Sequence, residues 1–219
     1  NFYGGHWDLG PTWNYVVMTD TPFLVDAGRR GQGDKLIAML ETVGLKPSDL
    51  GFVLISHGHE DHDGGIGELA QKTGLKIRAH RIYELLIRRY PDLGPEGDKQ
   101  QFPAKCWHCF MPPSFFRDFC LDYHRELQEL QIDPVGDGTT ELDQGLQVHH
   151  LPGHSPDCLA VQLDEDAIIV GDIVLPDISP WPTREALFDE VAGVVGSEYQ
   201  SPGDIFGLQR YIKSLDSMA

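Results

Sequence analysis

The chain has 219 residues and a formal net charge of −17, from 17 Lys plus Arg against 34 Asp plus Glu with neutral histidines. Its 41% hydrophobic and 23% charged residues are typical of a globular domain, which excludes a disordered chain. The acidic charge disfavours nucleic acid as a partner, and no apolar stretch approaches the roughly 20 residues that cross a bilayer, so we expect no membrane partner.

The N-terminal part predicts a β-hairpin followed by a helix. Apolar runs at 15–18 and 23–25 are separated by a polar turn, and the second run ends in Asp26-Ala27-Gly28. Apolar residues then recur at helical spacing from 36 to 43, and Gly44 ends this pattern as a C-terminal cap would.

An unbroken apolar run at 52–55 predicts a strand that is covered on both faces, and it leads directly into Ser56 and a polar cluster. Helices predicted at 66–72 and 82–90 flank a strand predicted at 75–79. The first half of the chain is therefore predicted to be β-β-α-β-α-β-α.

Residues 91–138 interrupt this alternation with six prolines, and we interpret them as a lid inserted into a single domain that spans 1–219. A helix is compatible with 115–130 inside this insertion. Beyond it, three short apolar runs predict neighbouring strands of a second sheet, and the tail predicts a helix at 203–215. The three runs lie at 146–148, 159–161 and 168–170.

Four potential metal ligands lie within six residues directly after the buried strand, in the sequence His57-Gly58-His59-Glu60-Asp61-His62. Alternate residues of an extended segment point the same way, so His57 and His59 can converge on one ion while Asp61 and His62 turn toward a second. Imidazole and carboxylate suit zinc, although iron and manganese use the same ligands. The sequence therefore predicts one or two divalent metal ions, most simply zinc.

This pattern resembles the signature of the metallo-β-lactamase superfamily, in which two histidines precede an aspartate and a third histidine. The segment 151–156, which contains His154, resembles the loop of the third histidine ligand, and Gly171-Asp172 resembles the bridging aspartate. The resemblance covers nearly the whole chain. It implies an α/β fold, an αββα sandwich of two mixed β-sheets flanked by helices, with a helical lid insertion.

The resemblance also implies a role for each ligand. It matches Asp26 to a position whose carboxylate accepts a hydrogen bond from a ligand histidine or nearby backbone and so orients the imidazole. The implied ligands are His57, His59 and His154 for the first metal, Asp61 and His62 for the second, and Asp172 as the bridge between them.

One departure concerns the second metal. Members of the family usually supply a further histidine from near the C-terminus, and no histidine follows His154 in this chain. The chain also begins at Asn1 rather than at a methionine, and we expect residues to be missing at both ends. The C-terminal helix could then contact a second chain, so an oligomer is compatible with the sequence.

The expected chemistry is hydrolysis by a metal-bound hydroxide, because divalent cations lower the pKa of bound water and polarise the oxygen under attack. Asp61 is placed to orient that water or to take its proton. The preferred substrate is a small ester, thioester or lactone, which fits the acidic charge. The alternative is a lactamase-like endoribonuclease or phosphodiesterase, which the segment 171–182 loosely resembles, and a third class is a binding or redox module.

The insertion carries two weaker signals. Cys106, Cys109 and Cys120 supply soft ligands for a structural zinc, but their spacing matches no familiar zinc site, and small apolar fillers are the simpler interpretation. So few clustered cysteines favour a reducing compartment, and we expect a cytoplasmic protein. Aromatic side chains predict an apolar substrate pocket above the metals, with helix packing as the alternative. The pocket residues are Trp107, Phe115, Phe116 and Tyr123, together with Trp181 outside the insertion.

Overall fold

A computed structural model describes residues 12–88, 126–127, 129–142, 145–165, 167–175, 199 and 201–218. The strands are β1 (Tyr15–Val17), β2 (Phe23–Val25), β3 (Phe52–Leu54), β4 (Lys76–His80), β5 (Ile132–Val135), β6 (Thr139–Glu141), β7 (Gln147–His150), β8 (Leu159–Gln162) and β9 (Ile168–Ile169). The helices are α1 (Gly33–Thr42), α2 (Glu60–Asp63), α3 (Ile66–Thr73), α4 (Arg81–Arg88) and α5 (Gly207–Asp216). Within the described ranges the predicted strands and helices occur in the predicted order, and α2, β5 and β6 occur in addition to them.

The first sheet has the strand order β1-β2-β3-β4-β5. The hairpin β1-β2 is antiparallel, whereas β2, β3, β4 and β5 are parallel neighbours. Parallel strands need crossover connections, and α1 and α3, which connect β2 to β3 and β3 to β4, supply them. As a result the carboxyl ends of β2 and β3 lie side by side, and the polar residues that follow both strands meet at one edge of the sheet.

The second sheet has the order β6-β7-β8-β9 and is antiparallel throughout the part of the chain that the structure describes. The predicted fold class is confirmed: the first sheet is mixed, whereas the described strands of the second sheet form antiparallel pairs alone. Short turns connect consecutive strands here, and such turns produce antiparallel neighbours.

Residues Ile132–Val135, which were predicted to belong to the lid insertion at 91–138, form strand β5. This strand pairs with β4 at the edge of the first sheet, and β6 begins at Thr139. Proline lacks an N–H donor, but Pro134 is tolerated here because an edge strand has no ladder to complete on one side.

Three apolar layers hold the sandwich together. Side chains of β2, β3 and β4 pack against α1 and α3, and the opposite faces of β2 and β3 pack against the second sheet. The third layer lies between the second sheet and α5. The middle layer includes Phe23 stacked on Phe52, with ring centroids 4.6 Å apart. Two sheets between helical layers confirm the predicted αββα arrangement, and none of the described helices is long and apolar enough to cross a membrane.

Candidate metal centre

Four side chains from three distant segments converge at the carboxyl end of the first sheet. His59 Nδ1 lies 3.0 Å from His57 Nε2 and 3.2 Å from His154 Nε2. Asp172 Oδ2 lies 3.7 Å from His154 Nε2. One ligand atom from each of the four residues lies within 4.8 Å of the other three. The structure therefore brings together the residues that the sequence analysis assigned to the first metal and the bridge.

Local backbone structure explains how the ligands reach this point. His59 has an extended backbone and immediately precedes α2, so the chain turns from strand-like to helical geometry inside the motif. The first turn of α2 then carries Asp61 and His62 toward the same edge. His154 lies in the connection from β7 to β8, and Asp172 lies in a 3-10 turn, Gly171–Ile173, that follows β9.

Gly171 allows this 3-10 turn to approach the motif. Its φ of 52° lies in the left-handed region, which side chains with a Cβ adopt at a cost. A Cβ at this position would also lie 2.9 Å from Ser56 Oγ. The glycine therefore lets Asp172 sit directly against the buried start of the histidine motif.

Asp26 and Ser56 fix the proton positions of two imidazoles. Asp26 Oδ1 accepts the Ser56 N–H at 2.7 Å, and Oδ2 accepts the Ser56 hydroxyl and His62 Nδ1–H, both at 2.8 Å. The Ser56 oxygen, 3.1 Å from His57 Nδ1, can accept the proton of that nitrogen. In the neutral form of each ring this arrangement places the proton on Nδ1 and leaves Nε2 free to bind a metal.

Asp26 has the only positive φ, 65°, among the described residues other than glycine. Aspartate tolerates this conformation better than most residues, and strained backbone of this kind concentrates at functional sites. In this conformation the Asp26 carboxylate contacts Ser56 and His62, and the residue is only 2% exposed.

His62 faces carboxylates on both sides of its ring. Its Nε2 is buried and makes no hydrogen bond, and it lies 3.2 Å from Asp172 Oδ1 and 3.8 Å from Asp61 Oδ2. Burial alone would lower the pKa of His62, but Asp26, Asp61 and Asp172 outweigh it and raise that pKa above its ordinary value. Burial likewise opposes ionisation of Asp172, yet the neighbouring histidines lower its pKa to about 2.

These features fit divalent metal ions. Four ligands at 2.0–2.1 Å from a zinc ion in a tetrahedron lie roughly 3.3 Å apart, close to the nitrogen separations around His59. The carboxylates of Asp172 and Asp61 face the buried Nε2 of His62, and carboxylates that favour a proton there also favour a metal cation. The ligand atoms of His57, His59, His154 and Asp172 are close enough together to hold one ion, and His62 Nε2 lies beside this group, near Asp61 and Asp172.

A second group of titratable residues, His80, Asp137 and His150, also has ligand atoms within 4.8 Å of one another, but the geometry of its rings does not suit a metal. The rings of His80 and His150 are stacked, with centroids 3.6 Å apart and planes 14° from parallel. An ion between stacked rings would lie far out of both ring planes, whereas imidazole binds metals in its plane. Asp137 is instead engaged by Arg81, by Tyr199 Oη at 2.5 Å and by His80 Nε2 at 3.0 Å.

From the lowered pKa values of His80 and His150 we expect the folded protein to lose stability at acidic pH. Burial lowers the pKa of His80 to about 2 and that of His150 to about 4. Both histidines take up a proton near pH 6.5 in the unfolded chain but not in the folded one, so the free energy of unfolding falls as the pH drops below 6.5. At pH 5 the loss should be about 2 kcal/mol per histidine.

We expect His80→Gln to remove one histidine's share of this slope, because glutamine keeps a donor for Asp137 and does not titrate. Urea unfolding of the metal-free protein and of the variant at pH 7.5 and pH 5.0 measures the difference. The same change in stability between the two pH values in both proteins would contradict the prediction.

Several residues named from the sequence lie outside the described residues. They are Trp107, Phe115, Phe116, Tyr123 and Trp181 of the predicted substrate pocket, and Cys106, Cys109 and Cys120 of the insertion. Sequence reasoning in turn missed three side chains that touch the motif. Ser56 was adjacent to it in the sequence, whereas Thr12, whose hydroxyl donates to Asp61 Oδ2 at 2.8 Å, and Asp157 gave no local signal.

Comparison with known proteins identifies the family and the fold. A family model described as the metallo-beta-lactamase superfamily matches residues 7–210. A crystal structure of a protein in a di-iron-bound form superimposes with a TM-score of 0.56 at 24% identity, over 96% of this chain and 83% of that one. At this identity the likeness concerns the fold.

Two curated relatives differ in what they match. The N-acyl homoserine lactonase of Bacillus cereus is 25% identical over 205 residues, which cover 83% of this chain and 68% of the lactonase. Exodeoxyribonuclease WalJ of Streptococcus pneumoniae serotype 2 (strain D39 / NCTC 7466) is 39% identical over 66 residues, which cover 30% of this chain and 24% of that protein. The match to the exonuclease thus spans about a quarter of its length.

Proposed function

We propose, because this chain belongs to the metallo-beta-lactamase superfamily, that it is a metal-dependent hydrolase of a small ester, thioester or lactone. The observation that carries the proposal is the convergence of His57, His59, His154 and Asp172, whose ligand atoms lie within 4.8 Å of one another. These residues come from three segments of the chain, and structural packing alone gives no reason to bury so many ionisable groups together.

These residues would hold a divalent metal ion, which when bound would supply an activated water near neutral pH and polarise the oxygen under attack. Asp61 is 34% exposed at its side chain, so its carboxylate is accessible to a water molecule and can orient that water or take its proton. The Thr12 hydroxyl donates to Asp61 Oδ2 and holds one carboxylate oxygen in place. Asp26 keeps His62 oriented with its Nε2 toward Asp61 and Asp172.

Zinc is the metal that we propose, in one or two sites. The first site offers three imidazole nitrogens and a carboxylate, a donor set typical of zinc enzymes. The same donors accept iron or manganese. Asp61, His62 and Asp172 are the protein ligands that we propose for the second ion, because His62 Nε2 faces both carboxylates.

Two observations support a small neutral or weakly polar substrate. The lactonase of Bacillus cereus, named for its action on N-acyl homoserine lactone, is similar over 83% of this chain. The net charge of −17 repels polyanions and leaves small esters and lactones unaffected. Ring opening of a lactone and cleavage of an ester or thioester are the same acyl transfer to water, so one site serves all three.

A nuclease is the second candidate, and the match to exodeoxyribonuclease WalJ favours it. Metals that activate water for a carbonyl also activate it for a phosphodiester. The match covers only 30% of this chain, and a strand-binding surface requires basic residues that an excess of 17 acidic residues opposes. We therefore place the acyl substrates first.

Metal analysis followed by a side-by-side substrate panel tests the proposal. The zinc-loaded protein is assayed with an N-acyl homoserine lactone, a thioester, a simple phosphodiester, a short RNA and a short DNA. We expect kcat/KM for the lactone or thioester to exceed that for the phosphodiester at least about tenfold, with no turnover after chelation. Preferred cleavage of RNA or DNA with a steep dependence on salt would establish the nuclease instead.

A further inference from the structure

Asp157 has a buried carboxylate that the proposed reaction does not use. The residue is 1% exposed, and its two oxygens accept hydrogen bonds from two different loops. Oδ2 accepts the Gly58 N–H at 2.8 Å, across 99 positions of sequence. Oδ1 accepts the Ser155 hydroxyl in a short hydrogen bond. A carboxylate buried in this way is costly unless its hydrogen bonds have a purpose.

Both bonded loops carry ligands of the first metal. Gly58 stands between His57 and His59, whose imidazole nitrogens are 3.0 Å apart. Ser155 directly follows His154. The Asp157 carboxylate therefore connects the backbone between two histidine ligands with the residue next to the third.

The first of these loops also lies against a buried aromatic ring. A Cβ at Gly58 would lie 2.9 Å from a ring carbon of Tyr83 and 3.3 Å from Asp157 Oδ2. Tyr83 is itself 1% exposed, so its ring leaves little room for a side chain at Gly58. Glycine therefore suits this position, and its N–H donates to Asp157 Oδ2.

The second loop forms a tight turn around Ser155. The Ser155 carbonyl accepts the Gly153 N–H at 3.2 Å and the Cys158 N–H at 3.4 Å, and the Ser155 N–H donates to Cys158 Sγ at 3.3 Å. His150 Nε2 lies 2.8 Å from the Pro156 carbonyl of the same turn. The turn, with its backbone fixed in this way, is joined to the first loop by the Asp157 carboxylate, and next to it the Leu159 N–H donates to the Ser56 carbonyl at 2.7 Å.

We infer that Asp157 is a positioning residue that holds the His57–His59 loop and the His154 turn at the separation required by the first metal ion. The inference rests on the proposed metal-dependent function. The Gly58 N–H and the Ser155 hydroxyl both donate to the carboxylate, so each oxygen of Asp157 acts as an acceptor. Burial raises the pKa of Asp157 to about 6, and at pH 7.5 the carboxylate is ionised and accepts on both oxygens.

Two substitutions distinguish the effect of the hydrogen bonds made by Asp157 from the effect of its negative charge. Asp157→Asn keeps an oxygen for the Gly58 N–H, and its amide can donate to Ser155 Oγ because a hydroxyl also accepts. Asp157→Ala removes both connections. If Asp157 acts by holding the two ligand loops in position, the Asp157→Asn variant should retain metal binding and the Asp157→Ala variant should not.

The readouts are the Kd for Zn²⁺, from competition with a chelator at pH 7.5, and the visible absorption of the Co²⁺-loaded protein, which reports coordination geometry. We expect Asp157→Ala to weaken the first Zn²⁺ by about 10-fold to 100-fold and to change the Co²⁺ spectrum, as is typical when a group supporting a ligand is removed. Asp157→Asn should stay within about threefold of the parent protein and keep its spectrum.

A matched control distinguishes positioning from loss of stability. Leu40→Ala removes a core side chain of α1 and is expected to lower the unfolding midpoint while leaving the Kd for Zn²⁺ and the Co²⁺ spectrum unchanged. If Asp157→Ala does not fold, Ser155→Ala, which removes one of the two connections, is measured instead and should weaken Zn²⁺ by about threefold or more.

The outcomes are distinct. Parent-like affinity and spectrum in Asp157→Ala, or in Ser155→Ala where that variant replaces it, would overturn the inference. An equal loss in Asp157→Asn and Asp157→Ala would also overturn it, because the charge rather than the connection would then matter. Failure of the parent protein to bind Zn²⁺ or Co²⁺ would overturn the proposed function itself.

Discussion

His59→Ala should reduce turnover by about 10³-fold or more and remove the first metal ion, because His59 Nδ1 lies at the centre of the ligand cluster. Its nitrogen is within 3.2 Å of both other histidine ligands, so its loss leaves two imidazoles and one carboxylate to hold the ion. Asp172→Ala should act in the same way and affect both ions, since its two oxygens face His62 and His154.

Metal content per chain and kcat/KM on the best substrate of the panel are measured together for each variant. His149→Ala is the matched control. That histidine lies on β7 and bonds Thr139 and Gln162, outside the ligand cluster, so its loss should leave metal content unchanged and turnover within about twofold. Full turnover by a metal-free preparation of His59→Ala or Asp172→Ala would refute the mechanism.

Asp26→Ala should have the largest effect on the fold around the site. It leaves the Ser56 N–H, the Ser56 hydroxyl and His62 Nδ1 without their buried acceptor. Removing one partner of a buried pair typically costs about 3–5 kcal/mol, and alanine is also a poor residue for a φ of 65°. We expect the unfolding midpoint of the metal-free protein to drop sharply in urea.

Asp26→Asn separates this stability effect from the effect on the metal. Asparagine tolerates the same backbone conformation and can still accept the Ser56 N–H, so the variant should fold. Its amide group would face His62 Nδ1 and favour the tautomer with a proton on Nε2, which cannot bind a metal. We expect metal affinity to fall about 10-fold to 100-fold. Parent-like affinity in Asp26→Asn would show that Asp26 does not set the tautomer of His62.

Local sequence determined the elements whose residues are close neighbours in the chain. The apolar run of β3 predicts a strand buried on both faces, and the His-Gly-His-Glu-Asp-His segment after it has the spacing of metal ligands. Both features can be recognised from consecutive residues alone. The hairpin β1-β2 and the helices α1 and α3 followed from periodicity in the same way.

The missed elements share a physical cause. β5 contains Pro134, which is disfavoured in strands generally but tolerated at a sheet edge, and edge position is a property of the whole sheet rather than of the segment. β6 is three residues long with a polar sequence, Thr139–Glu141, and it is defined by pairing with β7 rather than by an apolar pattern.

The residue types needed for metal chemistry could be identified in the sequence, and the family resemblance pointed to His154, Asp172 and Asp26 as participants. The contacts became known from the folded chain: His154 reaches His59 across 95 positions, Asp26 reaches His62 across 36, and Asp157 bonds Gly58 across 99. Such contacts depend on how parallel strands align their carboxyl ends and on how the second sheet packs against the first. Strand pairing sets these distances, and no pattern of neighbouring residues encodes them, which is why Thr12 and Asp157 could not be found from the sequence.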